Sequence, residues 1–140
     1  MRALAFLVIT IVGATMLPAP ALAADSIQGK WYTSGKRAIV TIAPCGKKLC
    51  GKLTRFIEKR KDGVTTDLNN PEPAMRKRKL VGLAILSGFV PEGEKWNGSI
   101  YDPESGKTYR SIVSRGAPGT LNVEGCISVF CQTQTWTKVR

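Results

Sequence analysis

The chain contains few side chains that are suited to catalysis. It has no histidine among its 140 residues, which removes the most common general base and the most common metal ligand. Its ten carboxylates lie mostly beside turn residues, and no spacing among them suggests a pair held several Å apart in a cleft, as acid–base hydrolysis requires. We therefore expect no catalytic residues, no metal site and no cofactor, and we predict that the protein is not an enzyme.

Four cysteines are the remaining reactive groups, and they fall into two equally spaced pairs, Cys45 with Cys50 and Cys126 with Cys131. Structural zinc sites usually have thiolates closer in sequence, as in C-x2-C, so a metal site is disfavoured. We expect disulfides, and we favour one bond within each pair because each would close across the end of a short hairpin. The spacing alone leaves all three pairings open. A bond that closes so short a loop stabilises by about 2 kcal/mol.

The stretch YDPESGKTY at 101–109 contains Gly-Lys-Thr, which also ends a phosphate-binding loop. That loop needs an earlier glycine at position 101, where this chain has Tyr, and a helix after it. The residues that follow, YRSIVS, are typical of a strand instead. Asp102 can accept backbone N–H bonds, Pro103 fits the first corner of a type I turn, and Gly106 can take a positive φ. We predict a hairpin turn.

Binding is a better hypothesis than catalysis, and one long segment concentrates the polar groups for it. It brings a carboxylate, two amides and a guanidinium close together in sequence, and two aromatic residues further along could stack on a ligand. The alternatives are that the acid and amides only satisfy the backbone of their own loop, and that the aromatics are core residues. The six candidates are Asp67, Asn69, Asn70, Arg76, Trp96 and Tyr101.

The chain is strongly basic, with 21 Lys and Arg against 10 Asp and Glu and a net charge of +11. Such a charge favours anionic partners, which include phospholipid head groups, lipopolysaccharide, acidic polymers and acidic small molecules. The densest basic runs are at 59–61 and 76–79, and the alternative is that they form a solvated surface. We expect no nucleic-acid partner, since no nucleic-acid-binding motif is present.

The N-terminal residues predict export. Arg2 precedes an apolar run over 3–17, and the tripeptide Ala21–Ala23 has small residues at its first and third positions, as in a signal peptide cleaved after Ala23. The alternative is a membrane anchor, but the run is shorter than the roughly 20 residues that span a bilayer. We predict a periplasmic or secreted protein whose mature part, 24–140, is one domain without a transmembrane segment.

The elements that position these residues are predicted to be strands. Short β-friendly runs recur between turn signals about every ten residues, and in RAIVTIA the side chains of Ala38, Val40 and Ile42 share one face. The apolar run 80–89 suits a buried strand, followed by a turn at 91–93, whereas 64–79 is irregular with a helical turn at 74–77. We count eight strands and little helix, which predicts an all-β, eight-stranded antiparallel barrel. A barrel of this size is either filled or holds one small ligand.

Several long motifs resemble a known family when they are taken in order. They are PCGKKLCGKL, DLNNPEPAMRKRKLVGLAILSGF, WNGSIYDPESGKTY and CQTQTWTKV. Together they resemble the bacterial exported family catalogued as domain of unknown function 2147, over essentially all of the mature chain. The resemblance implies a lipocalin-like β-barrel in the cell envelope or outside the cell, and it implies no established reaction.

Gly29-Lys30-Trp31 also favours a lipocalin-like barrel, since it resembles the G-x-W that opens lipocalin-type barrels. In those barrels the Trp packs near the barrel floor against a basic residue of the last strand. We therefore expect Trp31 to be structural and to stack on Lys138 or Arg140. For function, we predict binding of a small amphipathic or acidic molecule. The alternative is a structural or interaction protein that docks on anionic envelope polymers or lipids through its basic surface.

Overall fold

A computed structural model of the chain describes residues 17–19 and 24–140. Apart from 17–19, the predicted signal peptide lies outside the described residues. The described part of the chain forms eight strands and two short 3-10 helices, Ser34–Lys36 and Pro73–Met75. The strands are β1 (Gly29–Tyr32), β2 (Ala38–Cys45), β3 (Lys48–Phe56), β4 (Ala84–Glu92), β5 (Lys95–Asp102), β6 (Lys107–Arg115), β7 (Thr120–Ile127) and β8 (Phe130–Lys138).

The strands form one closed antiparallel barrel, as the sequence predicted. Each strand pairs with the next one along the chain, and β8 pairs back with β1. The closing contact is short, with Trp31 opposite Lys138 and Tyr32 opposite Thr137. Closure leaves no long unpaired strand edge to recruit other chains.

An up-and-down barrel puts alternate connections at opposite ends, and the two ends differ here. We call one the loop end, where residues 33–37, 57–83, 103–106 and 128–129 connect the strands. The other we call the floor end, which has residues 24–28, the connections 46–47, 93–94 and 116–119, and the C terminus. The long segment 57–83 therefore lies at the loop end.

Alternation along the strands determines which side chains enter the barrel. In β2 the side chains of Ala38, Val40 and Ile42 are buried as predicted, while those of the residues between them face outward. The buried apolar cluster is Ile27, Trp31, Ala38, Val40, Ile42, Leu49, Leu53, Leu80, Leu83, Leu86, Phe89, Val113, Leu121, Val123 and Trp136.

Trp31 is fully buried, but its cationic neighbour differs from the expectation. Its indole Nε1 donates to the carbonyl of Ile27 at 3.0 Å, and the guanidinium of Arg115 lies 5.3 Å from the ring centroid. The expected partners, Lys138 and Arg140, are exposed. Arg115 is on β6, across the barrel, so its side chain can lie over the ring face, whereas Lys138 is the direct cross-strand neighbour of Trp31.

The strand predicted at 80–89 is displaced toward the C terminus. β4 begins at Ala84 and ends at Glu92, and Pro91 pairs with Trp96 inside the ladder, so the turn predicted at 91–93 lies at 93–94 instead. Residues 80–82 form a bend and a turn, with Gly82 at φ +95°, so extended backbone begins only at Ala84. At the other end Gly93 has φ +60°, which permits a tight turn and keeps Glu92 paired with Lys95.

The Gly-Lys-Thr stretch is a hairpin turn between β5 and β6, as predicted. The Gly106 N–H donates to the Asp102 carbonyl at 2.8 Å, and the Glu104 N–H donates to the Asp102 carboxylate at 2.9 Å. Gly106 has φ +70°. The residues after it form β6, so the stretch does not precede a helix.

Both expected disulfides are present. Cys45 is bonded to Cys50 across the β2–β3 turn at the floor end. Cys126 is bonded to Cys131 across the β7–β8 turn at the loop end. Each bond therefore closes one hairpin, as the preferred pairing required.

Candidate binding site at the loop end of the barrel

The barrel has a cavity of about 680 Å³ at its loop end. Side chains from β2, β3, β4 and β8 form its inner part, and residues of the loops and the β5–β6 turn form its rim. A cavity of this size is in the range of small-molecule sites. Its lining is Thr33, Arg37, Ala38, Leu53, Phe56, Glu58, Lys59, Arg60, Lys61, Asp62, Asn69, Leu80, Ile85, Asp102, Pro103, Glu104, Gln134 and Trp136.

The inner part of the cavity is apolar. Trp136 on β8 is almost fully buried, and Phe56 and Ile85 are partly buried side chains that pack against the core. Ala38, Leu53 and Leu80 complete this inner surface. An apolar group that entered the cavity would therefore contact core side chains and leave water.

One strand carries polar side chains on its inward face. Gln132 and Gln134 alternate with the same period as the inward-facing Trp136, yet both glutamines are exposed. The Gln134 side-chain oxygen accepts the Trp136 indole N–H at 3.0 Å. The interior is thus solvated along this part of β8, next to an apolar surface.

The rim carries charges of both signs, and one cation is neutralised internally. Arg60 donates to the Asp62 carboxylate at 2.6 Å and lies 4.0 Å from Glu104. The hydrogen bond from Arg60, with a further one from a backbone N–H, lowers the pKa of Asp62 to about 2. Within residues 24–140, no carboxylate lies within 4.0 Å of the other three rim cations. Those cations are Arg37, Lys59 and Lys61.

A buried carboxylate fastens the long loop 57–83 to the barrel wall. Asp67 is fully buried and accepts hydrogen bonds from Tyr101 at 2.6 Å and Asn70 at 2.8 Å. Arg78 contacts the same carboxylate through two nitrogens, at 3.0 and 2.9 Å. Tyr101 belongs to β5, so this cluster joins the loop to the barrel.

The pKa values of the cluster follow from its burial and hydrogen bonds. Burial disfavours the charged form of Asp67, but the hydrogen bonds from its three partners outweigh burial and place its pKa below the usual value. Burial also raises the pKa of Tyr101 to about 12, and the hydrogen bond to the Asp67 carboxylate adds to that increase. Asp67 is therefore an ionised hydrogen-bond acceptor that holds the loop.

A second contact packs the same loop against the β5–β6 turn. The Asn69 side chain donates to the backbone carbonyls of Pro103 and Glu104, at 3.3 and 2.9 Å. A Cβ atom on Gly106 would overlap the carbonyl oxygen of Asn69. Close approach of the two backbones therefore requires glycine at 106.

The structure brings most of the six predicted binding residues together, but mainly as a loop anchor. Asp67, Asn70 and Tyr101 form the hydrogen-bonded cluster, and the Arg76 Nε donates to the Asn70 carbonyl at 2.8 Å. Asn69 lies on the cavity rim. Only Asn70 meets the alternative in which the acid and amides satisfy the backbone of their own loop, since its side-chain oxygen accepts from the Glu72 N–H at 2.9 Å. Asp67 binds side chains, and Asn69 binds the β5–β6 turn.

Trp96 is separated from this group. It lies at the start of β5, near the floor end, and its indole N–H donates to the carbonyl of Asp25 at 2.9 Å. Asn70 and Tyr101 also line a second groove of about 660 Å³ beside the loop, together with Lys52, Arg78 and Lys79 among others.

The sequence interpretation missed the residues that line the inner cavity. Ile85 was placed in the strand predicted at 80–89, and Phe56 and Trp136 received no role. One signal was available: in CQTQTWT, Gln132 and Gln134 share the face of Trp136. Polar residues on the inward face of a barrel strand indicate an interior that is not filled.

Neither a metal cluster nor a membrane-spanning helix occurs in the part of the chain that the structure describes. No group of three or more His, Cys, Asp or Glu side chains there is arranged to hold a metal ion. No helix in the same residues has the length and apolar character needed to cross a bilayer.

The closed eight-stranded antiparallel barrel and its loop-end cavity define a lipocalin-like fold. A solved structure of similar fold is that of protein HP1028 from the human pathogen Helicobacter pylori, which is described as belonging to the lipocalin family. The TM-score is 0.72 at 22% sequence identity, with 82% of this chain and 84% of that chain covered. At this identity the similarity establishes the fold.

Sequence places the chain in a family as well. Residues 29–138 match the family described as "Uncharacterized protein conserved in bacteria (DUF2147)", and the chain belongs to that family, as its motifs indicated. No curated protein matches the chain in sequence.

Proposed function

We propose that the protein is an exported, non-enzymatic carrier or sensor that binds one small amphipathic molecule with an acidic head group in its loop-end cavity. The observation that carries this proposal is the cavity itself, which has an apolar inner surface and a charged rim. The lipocalin-like fold supports the proposal because barrels of this size accommodate a single small ligand.

The apolar end of the ligand would lie against Trp136, Phe56 and Ile85. These side chains are available because β8 presents glutamines, not bulky apolar residues, on the adjoining inward positions. Burial of apolar ligand surface contributes about 25 cal/mol per Å² before the costs of association.

The acidic head group would lie at the rim. Arg37, Lys59 and Lys61 have no carboxylate within 4.0 Å in the described chain, whereas Arg60 is occupied by Asp62. A carboxylate or phosphate would therefore pair with one of these three cations without first breaking an ion pair.

The protein we propose binds its ligand without catalysing a reaction, and it acts outside the cytoplasm. The chain has no histidine, and the buried Asp67 is held by three partners. Two disulfides are compatible with export, since such bonds form and persist in oxidising compartments.

A matched pair of variants tests the cavity. Gln134→Trp adds a large side chain inside it, and Thr135→Trp adds the same side chain to the outer face of the same strand. With a fluorescent fatty-acid probe, we expect saturable binding by the parent and by Thr135→Trp, and at least about tenfold weaker binding by Gln134→Trp. Thermal unfolding of all three proteins controls for folding.

Two results would contradict the proposal. One is the absence of saturable probe binding by the parent protein, together with no co-purifying small molecule in native mass spectrometry. The other is equal affinity of the two tryptophan variants, because a probe that ignores the interior of the barrel binds elsewhere.

A second candidate function is docking on anionic envelope polymers through the basic surface. The observation that favours it is that both basic runs, 59–61 and 76–79, lie in the same loop. Two of these cations are already engaged, since Arg60 pairs with Asp62 and Arg78 with Asp67.

This candidate predicts salt-sensitive binding to lipopolysaccharide. The double substitution of Lys77 and Lys79 by Gln should weaken binding at low salt, whereas substitution of Lys47 and Lys48 at the floor end should not. Affinity that is unchanged between low and high salt would rule the candidate out.

A further inference from the structure

The β7–β8 hairpin ends in an exposed apolar tip that neither function above uses. We call residues 127–130, Ile-Ser-Val-Phe, the hairpin tip. The exposed fractions are 66% for Ile127, 81% for Val129 and 79% for Phe130. The disulfide between Cys126 and Cys131 closes the hairpin directly behind these residues. The tip is therefore a small apolar projection on a cross-linked support.

The composition of the tip contradicts the usual rules for hairpin turns. The turns after β2, β4, β5 and β6 each contain glycine, at positions 46, 93, 106 and 119, and each of these glycines has a positive φ. The tip has no glycine, and Ser128 itself takes φ +55°. A two-residue turn normally selects Asn and Gly for such angles. Exposed Val and Phe beside a strained Ser128 depart from the residue types that a turn favours, and such departures are expected at functional sites.

The tip lies at the end of the barrel whose connecting segments are rich in basic residues. The loop-end connections carry nine basic residues, Lys36, Arg37, Lys59, Arg60, Lys61, Arg76, Lys77, Arg78 and Lys79. They carry five acidic residues, Glu58, Asp62, Asp67, Glu72 and Glu104. The floor-end segments carry two of each sign, Lys47, Arg140, Asp25 and Glu94.

A further cation touches the tip itself. The Arg110 side chain on β6 donates to the Ser128 carbonyl at 3.3 Å. A basic group thus lies directly behind the exposed apolar side chains.

We propose that the hairpin tip inserts into the surface of an anionic lipid bilayer and orients the loop end, with the mouth of the cavity, toward the membrane. Exposed apolar side chains with Arg110 against the turn, at an end whose connections are rich in basic residues, suit such a surface. Buried apolar area and attraction to anionic lipids add in interfacial binding. This inference does not depend on a ligand in the cavity.

The size of the tip favours a bilayer over a protein partner. A stable protein interface buries about 800 Å² on each side, which three side chains at the end of one hairpin do not supply. Insertion into a bilayer needs no complementary surface. A second copy of this chain would also have to bring two cationic ends together, which like charge opposes.

Vesicle flotation tests the proposal with vesicles of phosphatidylcholine and phosphatidylglycerol in equal parts. We expect the parent to float with these vesicles, and the double variant Val129→Ser, Phe130→Ser to bind at least about tenfold more weakly. Val90→Ser, at a partly exposed apolar residue of β4, is the matched control and should bind as the parent does.

A second readout reports insertion directly. In Phe130→Trp, the added indole should shift its emission to shorter wavelength with these vesicles and be quenched by brominated lipid. An unchanged emission, or equal binding of the double variant and the parent, would overturn the proposal. Self-association that disappears in the double variant, without vesicle binding, would also overturn it and assign the tip to contacts between copies.

Discussion

The two ends of the barrel differ in how their interiors are packed. At the floor end, the fully buried Trp31 bonds to Ile27 and lies under Arg115, so the interior is filled. At the loop end, Gln132 and Gln134 are exposed on the inward face of β8, and a cavity of about 680 Å³ opens between the loops. The floor end secures the fold, and the loop end leaves room for a ligand.

The difference lies in how each end satisfies its polar groups. The floor end uses short turns and the buried aromatic side chains of Trp31 and Phe89. The loop end fastens a long segment, 57–83, to the wall through the buried carboxylate of Asp67 and its three partners. A polar anchor on the outer wall holds the loop without filling the barrel.

The largest expected effect is at the floor end. Trp31→Ala should lower the free energy of unfolding by about 3–5 kcal/mol, because it removes a fully buried aromatic side chain and leaves a void. Phe130→Ala, at the exposed tip of the loop end, should change it by less than about 0.5 kcal/mol. Urea unfolding measures both. Similar losses in the two variants would contradict the division between the ends.

The next largest effect on stability is expected at Asp67, which anchors the loop 57–83. Asp67→Asn should cost about 3 kcal/mol near neutral pH, because it removes the charge that Arg78 faces and offers an N–H where donors point. The pKa of Asp67 is lower in the folded protein than its usual value. Its stabilisation is therefore complete above about pH 4 and is lost as the pH falls through the folded pKa.

The sign of this linkage can be checked by unfolding between neutral and acidic pH. The parent should lose stability as the pH falls below about 4, and Asp67→Asn should lose less over the same interval. A variant with the same acid dependence as the parent would show that Asp67 does not supply the effect.

A smaller effect distinguishes two glycines in similar backbone conformations. Gly46 and Gly106 have φ of +67° and +70°, but a Cβ meets nothing within 4 Å at Gly46 and overlaps the Asn69 carbonyl at Gly106. Gly106→Ala should therefore cost about 2 kcal/mol more than Gly46→Ala. It should also increase proteolysis within 57–83. Equal costs would mean that the contact between turn and loop is not tight.

The smallest effect concerns the disulfides. Replacing Cys126 and Cys131 by Ser should lower the free energy of unfolding by at most about 2 kcal/mol, because the closed loop is short. The same change at Cys45 and Cys50 should cost a similar amount. Vesicle binding should be weaker only in the variant without the Cys126–Cys131 bond, since only that bond supports the hairpin tip. Equal vesicle binding by both variants would remove the proposed role of that bond.

The barrel could be predicted from sequence because its signals are local. The alternation around Val40, the turn residues around Gly106 and the paired cysteines each specify a short element, and closure follows from their number and order. The start of β4 was missed because the apolar run 80–89 includes a turn at Val81 and Gly82, where Gly82 takes a positive φ.

The candidate site was harder to predict because it depends on contacts distant in sequence. Asp67 and Tyr101 are 34 residues apart and meet through a hydrogen bond. Their residue types suggested ligand binding, but this contact, which the sequence does not reveal, fastens a loop. Arg115 lies over Trp31 from a strand across the barrel, and no spacing rule connects the two. Trp136 belongs to the motif CQTQTWTKV, but its position at the base of a cavity depends on the closure of all eight strands.

The most direct test is an NMR titration of the protein with dodecanoate, a fatty acid that has an apolar chain and a carboxylate. The open loop end and filled floor end predict saturable chemical-shift changes at Phe56, Ile85 and Trp136, with Trp31 and Ile27 unaffected. Changes confined to the outer face of 57–83, or no saturable change at the cavity residues, would contradict the account.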